Sequence, residues 1–296
     1  MNSPEVALLS AGLGSSLAIR SLTDSTAAEC TGIDLGHLEP GEWERLQQAY
    51  RAYSLLVVRE QNLSKPEQLA FSRRFGELEL PIRSDYLGKD FPAVHVVSNL
   101  GTDGKPSPTK GLDNPGNFFW HTDASYMRRP ASTTLLYAIE IPPRGGDTMF
   151  ANMHAAHEAL PSDMRERVSG LRAVHSWEQS RHNSGSRTAS PEEIELAPPV
   201  AHPLVRTHPE TGRKGLYLGN HTSHIEGMPI EGGRALLREL LGHATQWQFV
   251  YRHEWHRGDI VVWDNRSLLH KASDDFDMGE HVRLLHRTVV QGDVPR

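Results

Sequence analysis

The chain of 296 residues carries 37 acidic and 31 basic side chains, a formal net charge of −6, and it lacks a Lys/Arg block that could follow a nucleic-acid backbone. Its one cysteine, Cys30, excludes an internal disulfide, and no stretch approaches the roughly 18 consecutive apolar residues of a membrane span. These features argue against nucleic acid and membrane partners and predict a cytoplasmic protein. The 17 histidines are numerous for this length and invite a search for a metal site.

Helical patterns occur early in the chain. Residues 1–16 are small and uncommitted, so we expect them to be loosely ordered. Apolar residues recurring at three- and four-residue intervals predict a helix over residues 40–53. A second helix is expected after Ser64, because its hydroxyl and the carboxylate of Glu67 can form a capping box, and this helix is expected to end at Gly76.

Short strands separated by turn residues dominate the rest of the chain. Strands are predicted at residues 17–22, 29–35, 55–59, 93–98, 119–125, 133–141, 147–152, 204–208, 215–219, 248–255, 259–264 and 282–290, with helices at 154–170 and 230–245. This pattern predicts a mainly β fold with flanking helices, an antiparallel barrel or jelly roll, formed by a single domain over residues 1–296. Residues 101–117 and 178–199 have no regular pattern and are candidate lid loops.

The motif Trp120-His121-Thr122-Asp123 is the first candidate metal site. On a strand, residues i and i+2 face the same way, so His121 and Asp123 would project together. His270, near the end of a later buried strand, could supply a third ligand. Two histidines and one carboxylate form the facial triad that binds Fe(II) and leaves three positions open, whereas zinc more often has a fourth protein ligand. The alternative for His270 is a core histidine hydrogen-bonded to the backbone.

Two arginines follow this candidate triad. Three open positions on iron suit an enzyme that holds a chelating 2-oxoacid and still admits O2, and the far carboxylate of that acid needs a buried cation. Arg283 and Arg287 are four residues apart on a predicted strand and would point to the same face. Arginine suits this task because its planar guanidinium grips a carboxylate with two hydrogen bonds. A pair of surface arginines is the alternative, but the apolar neighbours favour burial.

Further motifs accompany these residues in the order typical of one enzyme family. Between Thr31 and Gly292 they comprise residues 71–78 (FSRRFGEL), Trp120 to Asp123, Gly145-Gly-Asp-Thr148, Trp263-Asp-Asn-Arg266, His270 and the run from Arg283 to Arg287. With them the sequence resembles the TauD/TfdA family of Fe(II)- and 2-oxoglutarate-dependent dioxygenases. The resemblance implies a double-stranded β-helix core, a jelly roll of the cupin type.

The resemblance also implies roles for the candidate residues. The implied iron ligands are His121, Asp123 and His270. The implied residues around 2-oxoglutarate are Thr148, Arg283 and Trp263. The implied residues around the anionic group of the primary substrate are Arg287, Asn117 and His221. O2 is the other cosubstrate, ascorbate serves as reductant in vitro, and homo-oligomers are common in the family.

Within the family the sequence is most similar to the aryloxyalkanoate dioxygenases, of the 2,4-dichlorophenoxyacetate type. The segments that carry this likeness are 98–105 (SNLGTDGK), 202–208 (HPLVRTH), 219–227 (GNHTSHIEG), 243–245 (HAT) and 249–253 (FVYRH). Taurine dioxygenases have a sulfonate-binding histidine shortly after Gly-Glu-Leu, whereas Gly76-Glu77-Leu78 is followed here by Glu79. Taurine is therefore a disfavoured substrate.

The implied reaction couples oxidation of 2-oxoglutarate to succinate and CO2 with hydroxylation of a C–H bond in a small anionic substrate, expected to be an aryloxyalkanoate-like carboxylate. A sulfonate or alkyl sulfate dioxygenase and an amino-acid or biosynthetic hydroxylase are alternatives within the family. A barrel that binds small acids without turnover is the non-enzyme alternative. The interval from His270 to Arg283 is longer than is usual in the family, and we expect Asp274 to Met278 to absorb the difference in a loop, since a one-residue slip would reverse the face of Arg283.

Overall fold

Seven strands form the largest sheet of the structure, a computed structural model that describes residues 16–80 and 90–296. The strands are, in chain order, β1 (Ala18–Ser21), β2 (Ala27–Thr31), β3 (Leu55–Val58), β4 (His95–Ser98), β5 (Ala131–Glu140), β6 (Thr148–Asn152), β7 (Arg172–His175), β8 (Val200–Pro203), β9 (Val205–Thr207), β10 (Lys214–Leu216), β11 (Thr222–Ile225), β12 (Val250–His253), β13 (Ile260–Asp264), β14 (Leu268–Ala272) and β15 (Leu284–Gln291). The largest sheet has the order β1-β2-β3-β13-β5-β15-β4, and only its β2–β3 pair is parallel. A second sheet has the order β12-β6-β14, and smaller sheets have the orders β11-β7-β8 and β10-β9.

Eight α-helices occur within these described ranges. They are α1 (Pro40–Tyr53), α2 (Lys65–Arg73), α3 (Pro108–Gly111), α4 (Met153–Glu158), α5 (Ser162–Val168), α6 (Trp177–Asn183), α7 (Pro191–Leu196) and α8 (Ile230–Ala244). In the part of the chain that the structure describes, none of them combines the length and the apolar character needed to cross a bilayer.

The main core lies between the seven-stranded sheet and the β12-β6-β14 sheet. Phe150 and Leu268 of the second sheet pack there against Leu136, Trp263 and Leu285 of the first. Because side chains alternate along a strand, the neighbouring residues of the large sheet face outward, where α1 and α2 cover them. Helix α8 packs in a further apolar cluster with residues of β6 and β14. Two packed antiparallel layers with outer helices confirm the predicted mainly β jelly roll.

The N-terminal helices follow their sequence signals closely. Helix α1 has the predicted bounds, and Pro40 occupies its first turn, where a missing N–H costs nothing. Before α2, the Ser64 hydroxyl accepts from the Glu67 N–H and the Glu67 carboxylate accepts from the Ser64 N–H, so the predicted capping box is present. The helix ends at Arg73, short of the predicted Gly76, because the following N–H groups turn to carbonyls three residues back.

The predicted strand over residues 119–125 is wrong. His121 forms a single bridge with His270, and turns follow from Asp123 onward. Ala124 has a φ of 53°, a left-handed conformation that a non-glycine residue seldom adopts and that ends any extended run. His121 and Asp123 therefore do not lie on one strand, and the alternation of side chains along a strand does not explain why these two lie close together.

Both candidate lid segments contain helices that the sequence analysis missed. Residues 101–117 include α3 and the start of a 3₁₀ turn at Pro115–Phe118. Residues 178–199 include most of α6, capped by Ser176, and all of α7, where Ser190 and Glu193 form a capping box. The predicted helix over residues 154–170 is divided into α4 and α5. The predictions for residues 1–16 fall outside the described residues, except for Ser16, and the single domain over residues 1–296 stays a prediction.

The segment between β14 and β15 is a loop, as predicted for Asp274 to Met278. Arg283 directly precedes β15, and its backbone continues the pairing with β4 through Asn99. The register between β15 and β4 is uninterrupted, so Arg283, Leu285 and Arg287 extend from one face of the strand. Because Leu285 packs in the core between the sheets, this face points inward.

We expect Leu135→Ala to lower the free energy of unfolding by about 2–5 kcal/mol, because its side chain is fully buried between the large sheet and the outer helices. Urea denaturation measures the loss. The control is Leu196→Ala, whose side chain is 63% exposed and which should change stability by less than about 0.5 kcal/mol. Equal losses for the two variants would contradict this account of the core.

Candidate metal centre

Three buried side chains meet where the predicted triad was expected. His121, Asp123 and His270 each offer a ligand atom, and these atoms lie within 4.8 Å of one another. The Nε2 atom of His121 is 3.9 Å from Oδ1 of Asp123, and the Nε2 atom of His270 is 3.8 Å from Oδ2. The structure therefore brings together the three residues that the sequence singled out.

Backbone hydrogen bonds hold the two histidines together. The His121 N–H donates to the His270 carbonyl at 3.0 Å, and the His270 N–H donates to the His121 carbonyl at 2.7 Å. Such a reciprocal pair places two residues directly opposite each other with their side chains on the same face. The imidazole ring centroids are accordingly 4.2 Å apart. Peptide hydrogen bonds, rather than a ligand, set the distance between the two rings.

Asp123 is oriented by a polar network from the large sheet. The Thr134 hydroxyl donates to Oδ2 of Asp123 at 2.6 Å, and the Asp123 N–H donates to Oδ1 of Asn265 at 3.2 Å. Asn265 in turn donates to the Thr134 hydroxyl at 2.8 Å and accepts from the indole N–H of Trp263 at 3.1 Å. Because every member is buried and bonded to another, the carboxylate has one well-defined position.

The charge states of the three groups suit a divalent metal. Burial lowers the pKa of His121 and holds that of His270 well below its usual value, so both imidazoles are neutral at physiological pH. Nδ1 of His121 donates to the Phe119 carbonyl at 2.8 Å, which leaves the lone pair on Nε2 beside Asp123. Burial alone would raise the pKa of Asp123, but the charge of Arg287 and the hydrogen bond from Thr134 hold it below its ordinary value. Two neutral nitrogens and one carboxylate match the facial triad of Fe(II).

A pocket, here the Arg287 cavity, opens beside His121 and Asp123. The predicted substrate-binding residues Arg287, Asn117 and His221 all line it. Nη1 of Arg287 lies 3.4 Å from Oδ1 of Asp123, and the Nδ1 atom of His221 is 3.0 Å from the Ser125 hydroxyl. The structure thus places these three side chains around one space next to the triad.

Arg283 lines a second pocket, here the Arg283 cavity. Its Nε donates to the Gly146 carbonyl at 2.8 Å, and burial lowers its pKa to about 10, so it stays cationic at neutral pH. The cavities adjoin, since both are lined by His95, Asn114 and Asn117. The guanidinium groups of Arg283, directly before β15, and Arg287, on β15, therefore line two adjoining cavities.

The turn before β6 positions the carbonyl that holds Arg283. Gly145 and Gly146 have φ values of 72° and 68°, a conformation that favours glycine. A Cβ atom on Gly145 would lie 2.4 Å from the Asp275 carbonyl oxygen, so a side chain there would displace the loop before β15. The glycine pair is therefore more than a plain surface turn.

Thr148 and Trp263 are buried close to these cavities without lining either of them. The Thr148 hydroxyl accepts from the indole N–H of Trp255 at 3.1 Å. The Trp263 ring packs against His270, with centroids 4.7 Å apart, and bonds to Asn265. Their predicted contacts with 2-oxoglutarate stay predictions.

Sequence reasoning missed several residues of the site. Glu79, Tyr126 and Arg181 also line the Arg287 cavity. Glu79 follows Leu78 in the segment where taurine dioxygenases have a histidine, and nothing in the sequence indicates that its side chain lines the cavity. Thr134 carried no signal, because its contact with Asp123 depends on how β5 crosses the triad.

Comparison with known proteins agrees with this geometry. Residues 18–289 match the family described as "Taurine catabolism dioxygenase TauD, TfdA family". The chain belongs to the TauD/TfdA family. As a member it is a 2-oxoglutarate-dependent dioxygenase that uses Fe(II) and O2 and acts on a small molecule.

Two curated relatives and one solved structure are similar over most of the chain. The 2,4-dichlorophenoxyacetate dioxygenase of Cupriavidus pinatubonensis is 44% identical over 244 residues, 80% of this chain and 84% of the relative. The (S)-phenoxypropionate/alpha-ketoglutarate-dioxygenase of Sphingobium herbicidovorans is 35% identical over 286 residues, 93% of this chain and 95% of the relative. The crystal structure of AAD-2 with Mn(II) and N-oxalylglycine has a TM-score of 0.84 at 39% identity and covers 94% of this chain and 99% of that one.

We expect Asp123→Ala and His270→Ala each to weaken Mn(II) binding by more than about 100-fold, because changes to the partners of metal ligands alone cost 10- to 100-fold. Titration followed by electron paramagnetic resonance of free Mn(II) measures the affinity without turnover. His256→Ala, which replaces an exposed histidine that is not part of the triad, is the control. Wild-type affinity in either triad variant would exclude that residue as a ligand.

Proposed function

We propose that the protein hydroxylates a C–H bond of a small, aryloxyalkanoate-like carboxylate, with release of succinate and CO2. The observation that carries the proposal is the arrangement of the buried His121, Asp123 and His270 beside the Arg287 cavity, with Arg283 facing the adjoining space. The named activities of the two curated relatives, on 2,4-dichlorophenoxyacetate and on (S)-phenoxypropionate, support the carboxylate class.

Each part of the site has a distinct task in this proposal. His121, Asp123 and His270 hold Fe(II), which when bound supplies the activation of O2. Arg283 binds the far carboxylate of 2-oxoglutarate, aided by Thr148, which follows the Gly146 turn. The Trp263 ring packs against the imidazole of His270. Arg287 anchors the anionic group of the substrate, with Asn117 and His221 around it. All three ligands are buried, which limits the access of water to the atoms that hold the metal.

The product depends on which carbon is hydroxylated. Hydroxylation of a carbon that bears an ether oxygen gives a hemiacetal, whose C–O bond then breaks. The oxygen leaves as a phenol or alcohol, and the hydroxylated carbon becomes the carbonyl of a 2-oxoacid. An aryloxyalkanoate would thus lose its side chain.

We expect aryloxyalkanoates to accelerate succinate formation by the Fe(II)-loaded enzyme with 2-oxoglutarate and ascorbate. The panel also contains alkyl sulfonates, alkyl sulfates and N-substituted amino acids, and each compound is compared with a blank that lacks the primary substrate. Stimulation by sulfonates or sulfates alone would indicate that the anionic group of the substrate is a sulfur oxyanion and not a carboxylate. No iron-dependent succinate formation with any compound would contradict the proposed enzyme and favour a small-acid-binding barrel.

Substitution of the two arginines should change different Michaelis constants. Arg287→Ala should raise the KM of the primary substrate, and Arg283→Ala that of 2-oxoglutarate, each by about 30-fold or more, since losing one member of a buried charge pair costs about 2–5 kcal/mol. Initial rates with each compound varied in turn measure both constants. Identical effects of the two variants on both constants would show that the roles are not divided in this way.

We also propose that residues 101–117 and 178–199 determine substrate specificity. Both segments contribute to the Arg287 cavity, through Asn114, Gly116, Asn117, Ser180, Arg181 and Ser184. Loops on a rigid sheet scaffold commonly carry specificity. Exchange of either segment with that of a relative should transfer the relative's substrate preference, and unchanged preference would contradict the assignment.

Homo-oligomerisation and a cytoplasmic location complete the proposal. A homo-oligomer is proposed because homo-oligomers are common in the family, and light scattering after size-exclusion chromatography tests this proposal. The location follows from the need for Fe(II) and 2-oxoglutarate, both of which reducing cytoplasm supplies. Cell fractionation tests the location.

A further inference from the structure

A carboxylate oxygen without a hydrogen-bond partner among the described residues lies in the wall of the Arg287 cavity. Glu79 lines this cavity together with Arg287, yet its Oε2 atom is buried with no hydrogen-bond partner. Within residues 16–80 and 90–296, Glu79 also forms no ion pair shorter than 4.0 Å, although the charge of Arg287 reaches it. An acid and a base thus share one space beside the metal centre without neutralising each other.

The position of Glu79 is fixed by the backbone. Its N–H donates to the Val289 carbonyl at 2.8 Å, and Leu78 pairs with Val290, so the segment adds to the edge of β15. Val289 lines the same cavity, and Arg287 precedes it by two residues on the same face. Glu79 is therefore a diagonal neighbour of Arg287, at a backbone spacing on the order of 7–8 Å. This spacing leaves room for a ligand group between the two side chains.

The Oε2 atom of Glu79 is buried without a hydrogen bond, which is costly, and a ligand can remove that cost. Burial, assisted by Asp123 and opposed by Arg287, raises the pKa of Glu79 to about 7. A protonated amine would supply both the opposite charge and the hydrogen bonds that the carboxylate lacks. An ether oxygen has no N–H or O–H group, so it cannot donate the hydrogen bonds that an ionised Glu79 lacks.

We propose that Glu79 makes the enzyme select carboxylates that carry a protonated amine, namely N-substituted amino acids, the nitrogen counterparts of aryloxyalkanoates. This inference rests on the proposed function, because it needs the substrate carboxylate at Arg287. The amine then lies against Glu79, and the carbon between nitrogen and carboxylate lies towards His121 and Asp123, which line the same cavity.

The corresponding reaction is an oxidative N-dealkylation. One atom of O2 enters the C–H bond next to nitrogen of R–NH2⁺–CH2–COO⁻, and the other enters succinate as 2-oxoglutarate loses CO2. The resulting R–NH2⁺–CH(OH)–COO⁻ breaks its C–N bond, with the bonding electrons and the hydroxyl proton passing to nitrogen. The products are the ammonium ion R–NH3⁺ and glyoxylate. No reductant beyond 2-oxoglutarate is required.

A matched pair of compounds tests the inference. N-benzylglycine and benzyloxyacetate differ only in having a protonated amine or an ether oxygen at the same position. We expect the wild-type, Fe(II)-loaded enzyme to show at least a tenfold higher kcat/KM for N-benzylglycine, measured by succinate and glyoxylate formation. Glu79→Gln, which keeps the shape and removes the charge, should abolish this preference mainly through the KM of N-benzylglycine.

Two further variants serve as controls. Glu77→Gln removes an exposed acid two residues away, outside both cavities, and should keep the wild-type preference. Glu79→Ala should lose the preference as Glu79→Gln does, and circular dichroism verifies that both variants fold. Calorimetric binding of each compound to the Mn(II)- and 2-oxoglutarate-loaded protein without O2 gives a measure independent of turnover.

The outcomes separate the two proposals. A wild-type preference for benzyloxyacetate, or equal losses for both compounds in Glu79→Gln, would overturn the role of Glu79 and leave the dioxygenase intact. Binding of neither compound would overturn it too. If no compound of the broad panel accelerates succinate formation, the proposed function itself fails.

Discussion

The reciprocal backbone hydrogen bonds between His121 and His270 are the constraint on which the site depends. They join two distant parts of the chain and fix two imidazoles at the spacing a metal needs before any metal arrives. The third group, Asp123, is held separately through Thr134 and Asn265 of the large sheet. The peptide backbone and a buried network thus position the three ligands in advance. Metal binding does not have to order the chain, so little binding free energy is spent on ordering it.

The charges around this centre follow a simple pattern. Asp123 has Arg287 beside it, so the triad carboxylate is ionised without a bound metal. In the described residues, by contrast, Arg283 has no acidic partner within 4.0 Å and Glu79 has no basic one, and each lies in a cavity wall. Buried charges without partners are expensive to maintain in a structural role. The presence of these two charges at cavity walls is explained if ligands of opposite charge form ion pairs with them.

The sequence predicted the fold and the identity of the triad better than the local structure of the site. Helix α1 was predicted to the residue because its amphipathic spacing and Pro40 act locally. The triad was found by residue type and order, yet the strand assumed to align it was wrong, since the left-handed Ala124 has no signature in the sequence. Helix α7 was missed although Ser190 and Glu193 form a readable capping box, because its single turn lacks apolar periodicity. The contact of Thr134 with Asp123 arises only from packing.

Arg283, directly before β15, and Arg287, within β15, face two cavities from the same side of the chain. One residue inserted or deleted between them would put the two guanidinium groups on opposite faces, so both can face the cavities only while their four-residue spacing is kept. Single replacements and changes in the surrounding loops act on one cavity at a time. In the proposed function, a change of substrate that keeps 2-oxoglutarate recognition would therefore require substitutions in the wall of the Arg287 cavity, at positions such as Glu79, with the spacing of the two arginines retained.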